Sequence, residues 1–223
     1  LDQVVAIQSV ADPAPQTGFV DRLLVSAARF EVACVLCLNK CDLDDALAGD
    51  PRWDYYSTLG VTVVRASATT GRGVGELHAR LRDRISIFLG ASGVGKSTLL
   101  NAIQPGLRLR TREVTGRTGL GRHATTHTEL FPLRDGGFVA DSPGLRGFDP
   151  WDIPPPALRD HFPDFVAPAT ECRYRTCLHR DEPDCGIKRA VAAGRVPPWR
   201  HDAYLALLRD LEDRRDAMPP GRR

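Results

Sequence analysis

One octapeptide narrows the possible folds more than any other feature of this 223-residue chain: Gly90-Ala91-Ser92-Gly93-Val94-Gly95-Lys96-Ser97. The apolar run 85–89, broken only by Ser86, precedes it, and Thr98-Leu99-Leu100-Asn101-Ala102-Ile103 follows as a helix-like segment. A GxxxxGKS run between a strand and a helix is a phosphate-binding loop, and it calls for an α/β domain with a mostly parallel sheet. Its glycines let successive backbone N–H groups turn inward, and the helix N-terminus adds the positive end of its dipole. Lys96 is placed to reach the β- and γ-phosphates, and the Ser97 hydroxyl to ligate Mg²⁺.

A base-reading motif, Asn39-Lys40-Cys41-Asp42, follows the apolar run 32–38, which suits a buried parallel strand. The Asp42 carboxylate can accept both hydrogen bonds offered by the guanine edge; adenine lacks that pair of donors, so the motif selects GTP over ATP. Twenty-five residues on, Ser67-Ala68 closes another β-branched run, 61–64, where a backbone N–H can meet the guanine oxygen. Thr69-Thr70-Gly71 then breaks the chain before a helix through Leu77 and Leu81. In most guanine-nucleotide switches the phosphate loop comes first and the base motif last. Here the order is reversed, so the domain is circularly permuted.

Downstream, Asp141-Ser142-Pro143-Gly144 follows the short apolar strand 138–140. It reads as the Walker B aspartate with switch II: Asp141 bonds the magnesium water shell and the Gly144 N–H meets the γ-phosphate. Residues 107–128, rich in Gly, Arg and Thr, have no apolar period and read as switch I, with Thr125 or Thr126 completing the magnesium shell. Leu145 stands where many GTPases carry a water-positioning Gln. His123 could take over that task; the competing reading is a solvent-facing histidine.

Cys172-x4-Cys177-x-His179-x5-Cys185 puts three thiols and an imidazole within fourteen residues. That is a complete Cys₃His set for a closed, structural zinc site. Only Tyr174, Leu178 and Ile187 lie around the ligands as large apolar residues, so the metal is expected to supply much of the local folding energy. Disulfides fit poorly with a cytosolic nucleotide hydrolase. Cys34 and Cys37 lie three apart on a strand, face opposite sides, and read as core thiols. After the metal set, residues 186–193 and 199–215 carry helical spacing, the second with Tyr204, Leu205, Leu208 and Leu211 in one stripe. Pro150 and Pro154-Pro155-Pro156 place a boundary between a nucleotide-binding domain, 1–149, and a metal-binding helical domain, 150–223.

No apolar run approaches membrane-spanning length. Net charge is only +2, but residues 107–122 and 172–200 each carry a local excess of +4. Such clusters can meet phosphates of structured RNA, although a solvated charged face is the plainer reading. The chain begins at Leu1 rather than Met, which suggests an upstream part.

The order NKxD, SA, GxSGVGKS, a threonine-rich loop, DSPG and CxxxxCxHxxxxxC resembles the circularly permuted GTPases of small ribosomal subunit biogenesis, the RsgA family. Val20-Asp21-Arg22 before a helix, residues 84–88 before the phosphate loop, and Gly121-x-His123 add to the resemblance. It implies a monomeric cytoplasmic enzyme that binds GTP and GDP, engages the maturing small subunit and its rRNA, and leaves after hydrolysis. It assigns nucleotide binding to residues 39–42 and 90–98, zinc to Cys172, Cys177, His179 and Cys185, and hydrolysis to His123 and Thr125. The family's N-terminal OB-type barrel has no counterpart in this sequence, and Ala124 replaces a threonine of many relatives. The alternatives are a permuted assembly GTPase acting on the large subunit, or a nucleotide-gated RNA-binding module with negligible turnover. Because switch II ends the permuted core, γ-phosphate loss is expected to be felt in the metal domain.

Overall fold

The protein, described here from a computed structural model, is defined for residues 1–106, 130–140, 150 and 152–217. It divides into two compact units: residues 1–16 with 32–147, and residues 17–31 with 148–223.

The first unit is built on a six-stranded sheet in the order β3-β2-β1-β4-β6-β5. Its strands are β1 (Gln3–Ser9), β2 (Ala33–Asn39), β3 (Thr62–Arg65), β4 (Ile85–Leu89), β5 (Leu130–Pro132) and β6 (Phe138–Ala140). All neighbours are parallel except β5, which runs antiparallel to β6 at the edge. Every residue of β1 is buried, as expected of a central parallel strand covered on both faces. Alternation by two sets the face: Val5 and Ile7 of β1 stand beside Val35 and Cys37 of β2, Val64 of β3 and Phe88 of β4. This face meets Leu77 and Leu81 of one helix and Leu99 and Leu100 of another. Truncating one of these leucines to Ala is expected to cost about 2–5 kcal/mol.

Because β1 to β4 are parallel, their C-terminal ends share one edge of the sheet, where open α/β sheets bind ligands. The phosphate loop leaves β4 there, the base motif leaves β2, and Ser67-Ala68 leaves β3. β6 runs the same way.

The helices follow local signals. In chain order α1 is Thr17–Arg29, α2 Asp45–Ala48, α3 Pro51–Thr58, α4 Val74–Leu81 and α5 Lys96–Ile103. Asp44 caps α2 by accepting from the Leu47 N–H, and Asp50 caps α3 ahead of a proline at the first helical position. Val20-Asp21-Arg22 lies inside α1 rather than before a helix.

The second unit joins α1 to a 3-10 helix (Pro155–His161), α6 (Pro163–Ala169), α7 (Gly186–Ala192) and α8 (Pro198–Ala217). Pro155 and Pro156, which marked a boundary in the sequence, start the 3-10 helix. They sit at its first turn, where a missing N–H costs nothing. The core contains Val25 of α1 with Leu158, Phe162, Phe165, Ile187 and Tyr204. Helix α8 places Tyr204, Leu208 and Leu211 inward as its spacing predicts; Leu207 is buried with them, and Leu205 is only partly covered.

An unforeseen feature of this unit is Arg200, whose side chain is 2 % exposed. Its guanidinium grips Asp164 with two bonds, Nε to Oδ2 at 3.0 Å and Nη2 to Oδ1 at 2.8 Å. Its Nη1 donates to Asp21 of α1 at 2.6 Å, and the plane lies 4.5 Å from the Phe162 ring centre. Arg22 meanwhile pairs with Asp210 of α8. The Asp-Arg pair of α1 therefore binds this helix to α8. No described helix is long and apolar enough to cross a membrane.

Candidate nucleotide site and metal centre

Asn39 ends β2, and its side-chain amide joins three motifs. Its Nδ2 donates to the Val94 carbonyl of the phosphate loop at 2.8 Å, and its Oδ1 accepts from the Ala68 N–H at 3.3 Å. It is buried, so both ends of the amide need these partners. Gly95 is what lets the phosphate loop come so close: a Cβ there would lie 2.3 Å from Asn39 Nδ2, and its φ of +93° disfavours any L side chain. Val94 is buried in the core below.

Lys96 opens α5, and its ammonium donates to the carbonyls of Gly90 (2.7 Å) and Ala91 (2.8 Å), across the mouth of the loop. Ser92, Gly93, Ser97 and Thr98 are exposed around that mouth, with N–H groups and hydroxyls available to an anion.

On the base side, Asp42 is exposed, and hydrogen bonding from Ser67 and Thr69 hydroxyls holds its carboxyl below the ordinary carboxylate range. Thr69 Oγ1 lies 3.3 Å from Asp42 Oδ2 and 3.0 Å from Ser67 Oγ. Thr69 is a residue that sequence reading took only as a chain breaker. Cys41 is fully buried, with Sγ 3.1 Å from the Leu38 carbonyl, and its N–H bonds the Ala66 carbonyl. It anchors the motif from below. Lys40 takes a left-handed backbone (φ +63°) and donates to the Asp12 carbonyl at 2.5 Å.

The structure thus brings residues 39–42, 67–68 and 90–98 together. His123, Thr125, Thr126, Asp141 and Gly144 lie outside the described residues. So does the arginine-rich segment 107–122.

In the second unit, the ligand atoms of Cys172, Cys177, His179 and Cys185 all lie within 4.8 Å of one another, so the set can hold a metal ion. His179 turns Nδ1 toward the thiols, 3.5 Å from Cys172 Sγ and 3.4 Å from Cys185 Sγ. A tetrahedral ion with thiolate and imidazole ligands requires about 3.6 Å between such atoms, so the donors fit. Burial pushes the Cys177 thiol up to about 12 and the His179 imidazole down to about 4. Charge on the thiols is thus unfavourable without a cation beside them.

The surrounding chain is shaped for the cluster. Glu182 clamps the loop, its two oxygens accepting the N–H groups of Leu178 (2.6 Å) and Arg180 (3.0 Å). His201 Nε2 bonds the His179 carbonyl at 2.8 Å, and the Gly186 N–H points at Cys172 Sγ, 3.2 Å away. Gly186 admits no side chain, since a Cβ would lie 2.0 Å from the Pro168 carbonyl oxygen.

The basic excess around this cluster is largely met by carboxylates from outside it. Glu212 pairs with Arg180, Glu171 with Arg189 and Arg195, and Asp21 and Asp164 with Arg200. Arg173 pairs with Asp184 within the segment. The surplus read from the sequence window is therefore an artefact of where the window ends.

Parallel sheet, phosphate loop and base motif define a P-loop nucleotide-binding protein, with its motif order permuted. The RsgA GTPase family model matches residues 1–151. Among curated relatives, the small ribosomal subunit biogenesis GTPase RsgA of Moorella thermoacetica is 42 % identical, over 95 % of this chain and 72 % of its own. That of Caldanaerobacter subterraneus subsp. tengcongensis is 37 % identical, over 96 % of this chain and 72 % of its own. The crystal structure of YjeQ from Thermotoga maritima matches with a TM-score of 0.80 at 37 % identity, covering 95 % of this chain and 71 % of that one. YloQ, a circularly permuted GTPase, matches at 0.75 and 32 %, covering 96 % and 69 %. This chain belongs to the RsgA GTPase family.

Proposed function

We propose that this protein hydrolyses GTP in the maturation of the small ribosomal subunit, as a cytoplasmic monomer that engages the subunit and its rRNA. The observation that carries the reading is the Asn39 brace, which holds phosphate loop, base motif and Ser67-Ala68 loop at one sheet edge. Two curated relatives that align with about 95 % of the chain bear the name of small ribosomal subunit biogenesis GTPase.

In this reading Asp42, held ionised by Ser67 and Thr69, accepts from the guanine edge, and the Ala68 N–H faces its oxygen. The N–H groups of Gly90, Ala91, Ser92, Gly93, Val94 and Gly95 cradle the phosphates, and Lys96 moves from its carbonyl partners to the β- and γ-oxygens. Ser97 and Thr125 would hold Mg²⁺, which when bound would offset the charge of the phosphates. Asp141 and Gly144 complete the phosphate side, and His123 orients water. The metal of the Cys₃His cluster is zinc, since a closed set of three thiolates and one imidazole suits it best; it has a structural role. The test is single-turnover GTP hydrolysis with and without small subunits. Stimulation by the small subunit is expected; a flat rate with intact nucleotide affinity indicates a nucleotide-gated binding module, and stimulation by large subunits alone overturns the partner.

A further inference from the structure

We propose that Ser9 is a positioning residue of the nucleotide site, acting through the Asp12 carbonyl on the Lys40 ammonium. Ser9 ends β1 and is fully buried. Its hydroxyl donates to the Asp12 carbonyl at 2.9 Å and accepts the Ala11 N–H at 3.3 Å, which fixes the first turn after the strand. The Val10 N–H adds a bond to the Asn39 carbonyl at 3.1 Å, tying the start of this turn to the base motif. The Asp12 carbonyl that Ser9 holds is also the acceptor of Lys40 Nζ.

This knot faces the phosphate loop. A Cβ on Gly95 would stand 3.9 Å from Lys40 Cε, and one on Gly93 would stand 3.6 Å from Pro13 Cδ. The methylene stem of Lys40 therefore runs beside Gly95, between the base motif and the phosphate loop, with its charged end fixed.

A lysine side chain loses much rotamer freedom when it is ordered, and an acceptor set in place beforehand lowers that cost when nucleotide binds. Because the acceptor is a main-chain carbonyl, no side chain at position 12 specifies it; the hydroxyl of Ser9 does. Serine suits the position because its hydroxyl donates and accepts at once. Its distance of thirty residues from Asn39 hides this role from any motif search.

The inference rests on Lys40 belonging to the nucleotide site, and the test separates the two. GDP affinity is measured for the wild type, Ser9→Ala, Lys40→Ala and the double variant. Ser9→Ala is expected to weaken GDP binding about three- to tenfold, and the double variant to bind within about twofold of Lys40→Ala, since the hydroxyl acts only through the ammonium. Losses that multiply mark Ser9 as a general fold residue and overturn the proposal. Wild-type affinity in Ser9→Ala overturns it too. Lys40→Ala with undiminished affinity overturns the site reading and the proposal together. Ser9→Cys keeps the volume with a weak S–H donor, so it serves should the Ala variant fold poorly; it is expected to lose affinity in the same direction, and no loss overturns the proposal.

Discussion

At the scale of single residues, hydrogen-bond polarity decides what the site recognises. As a carboxylate Asp42 presents only acceptors, and hydrogen bonds from Ser67 and Thr69 hold its carboxyl below the ordinary range. Asp42→Asn converts one acceptor into a donor that opposes the guanine N–H groups and matches the extra carbonyl of xanthine. GTP affinity is expected to fall roughly tenfold to a hundredfold, the worth of hydrogen bonds to a charged group, while xanthosine triphosphate gains. Competitive binding of the two nucleotides checks it; unchanged GTP affinity refutes the base-reading role. Arg200 shows the same logic applied to stability. Its fork is shared by two buried carboxylates, so Arg200→Ala takes away the guanidinium that Asp21 and Asp164 both bond. A loss of about 3–5 kcal/mol is expected in urea unfolding. Lysine should restore little, since one ammonium cannot reproduce a two-pronged bond to Asp164 and a third to Asp21.

At the scale of elements, the metal loop depends on its frame as much as on its ligands. Glu182 holds two N–H groups on either side of His179 and so fixes where the imidazole points. Glu182→Gln keeps the size but has only one acceptor oxygen. Metal affinity, read by chelator competition, is expected to drop about tenfold, as is usual for groups that orient ligands. The wild type is expected to carry near one zinc per chain by metal analysis; Cys172→Ser should lose it, together with helicity from α7 and α8, and metal-free but folded protein would refute the site. The elements also show which parts were legible beforehand. Phosphate loop, base motif and Cys₃His set are each contiguous or nearly so, and their spacing follows from the ligand they meet, so they could be read directly. The allegiance of α1 could not be read: an amphipathic pattern says that a face is buried, never against what. Asp21 and Arg200 are 179 residues apart, and nothing local in either segment points to the other. Thr69 and Glu182 were hidden for a different reason, since Thr and Glu are common loop residues whose role lies only in where their oxygens point.

At the scale of the whole molecule, the permuted order matters through covalent continuity. The chain passes between its two units after Gln16, after Glu31 and after Gly147. The last crossing follows Asp141-Ser142-Pro143-Gly144 by three residues, so a change at the γ-phosphate has a short path into the second unit. The first two crossings flank α1, and the loop before it starts at Val10, bonded to Asn39 of the base motif. The expected routes into the second unit therefore differ, guanine being felt through residues 17–31 and the γ-phosphate through residues 148–154. Hydrogen exchange measured without nucleotide, with GDP and with a non-hydrolysable GTP analogue should separate them. Residues 17–31 are expected to gain protection on binding either nucleotide, because both carry guanine. Residues 152–170 are expected to differ between GDP and the analogue, because only the analogue carries a γ-phosphate. Asp21 and Arg200 link α1 to α8, so Arg200→Lys should blunt the response of α8 to guanine while leaving that of residues 152–154 in place. Identical exchange in all three states over 17–31 and 152–217 would show that the crossings connect the units without coupling them.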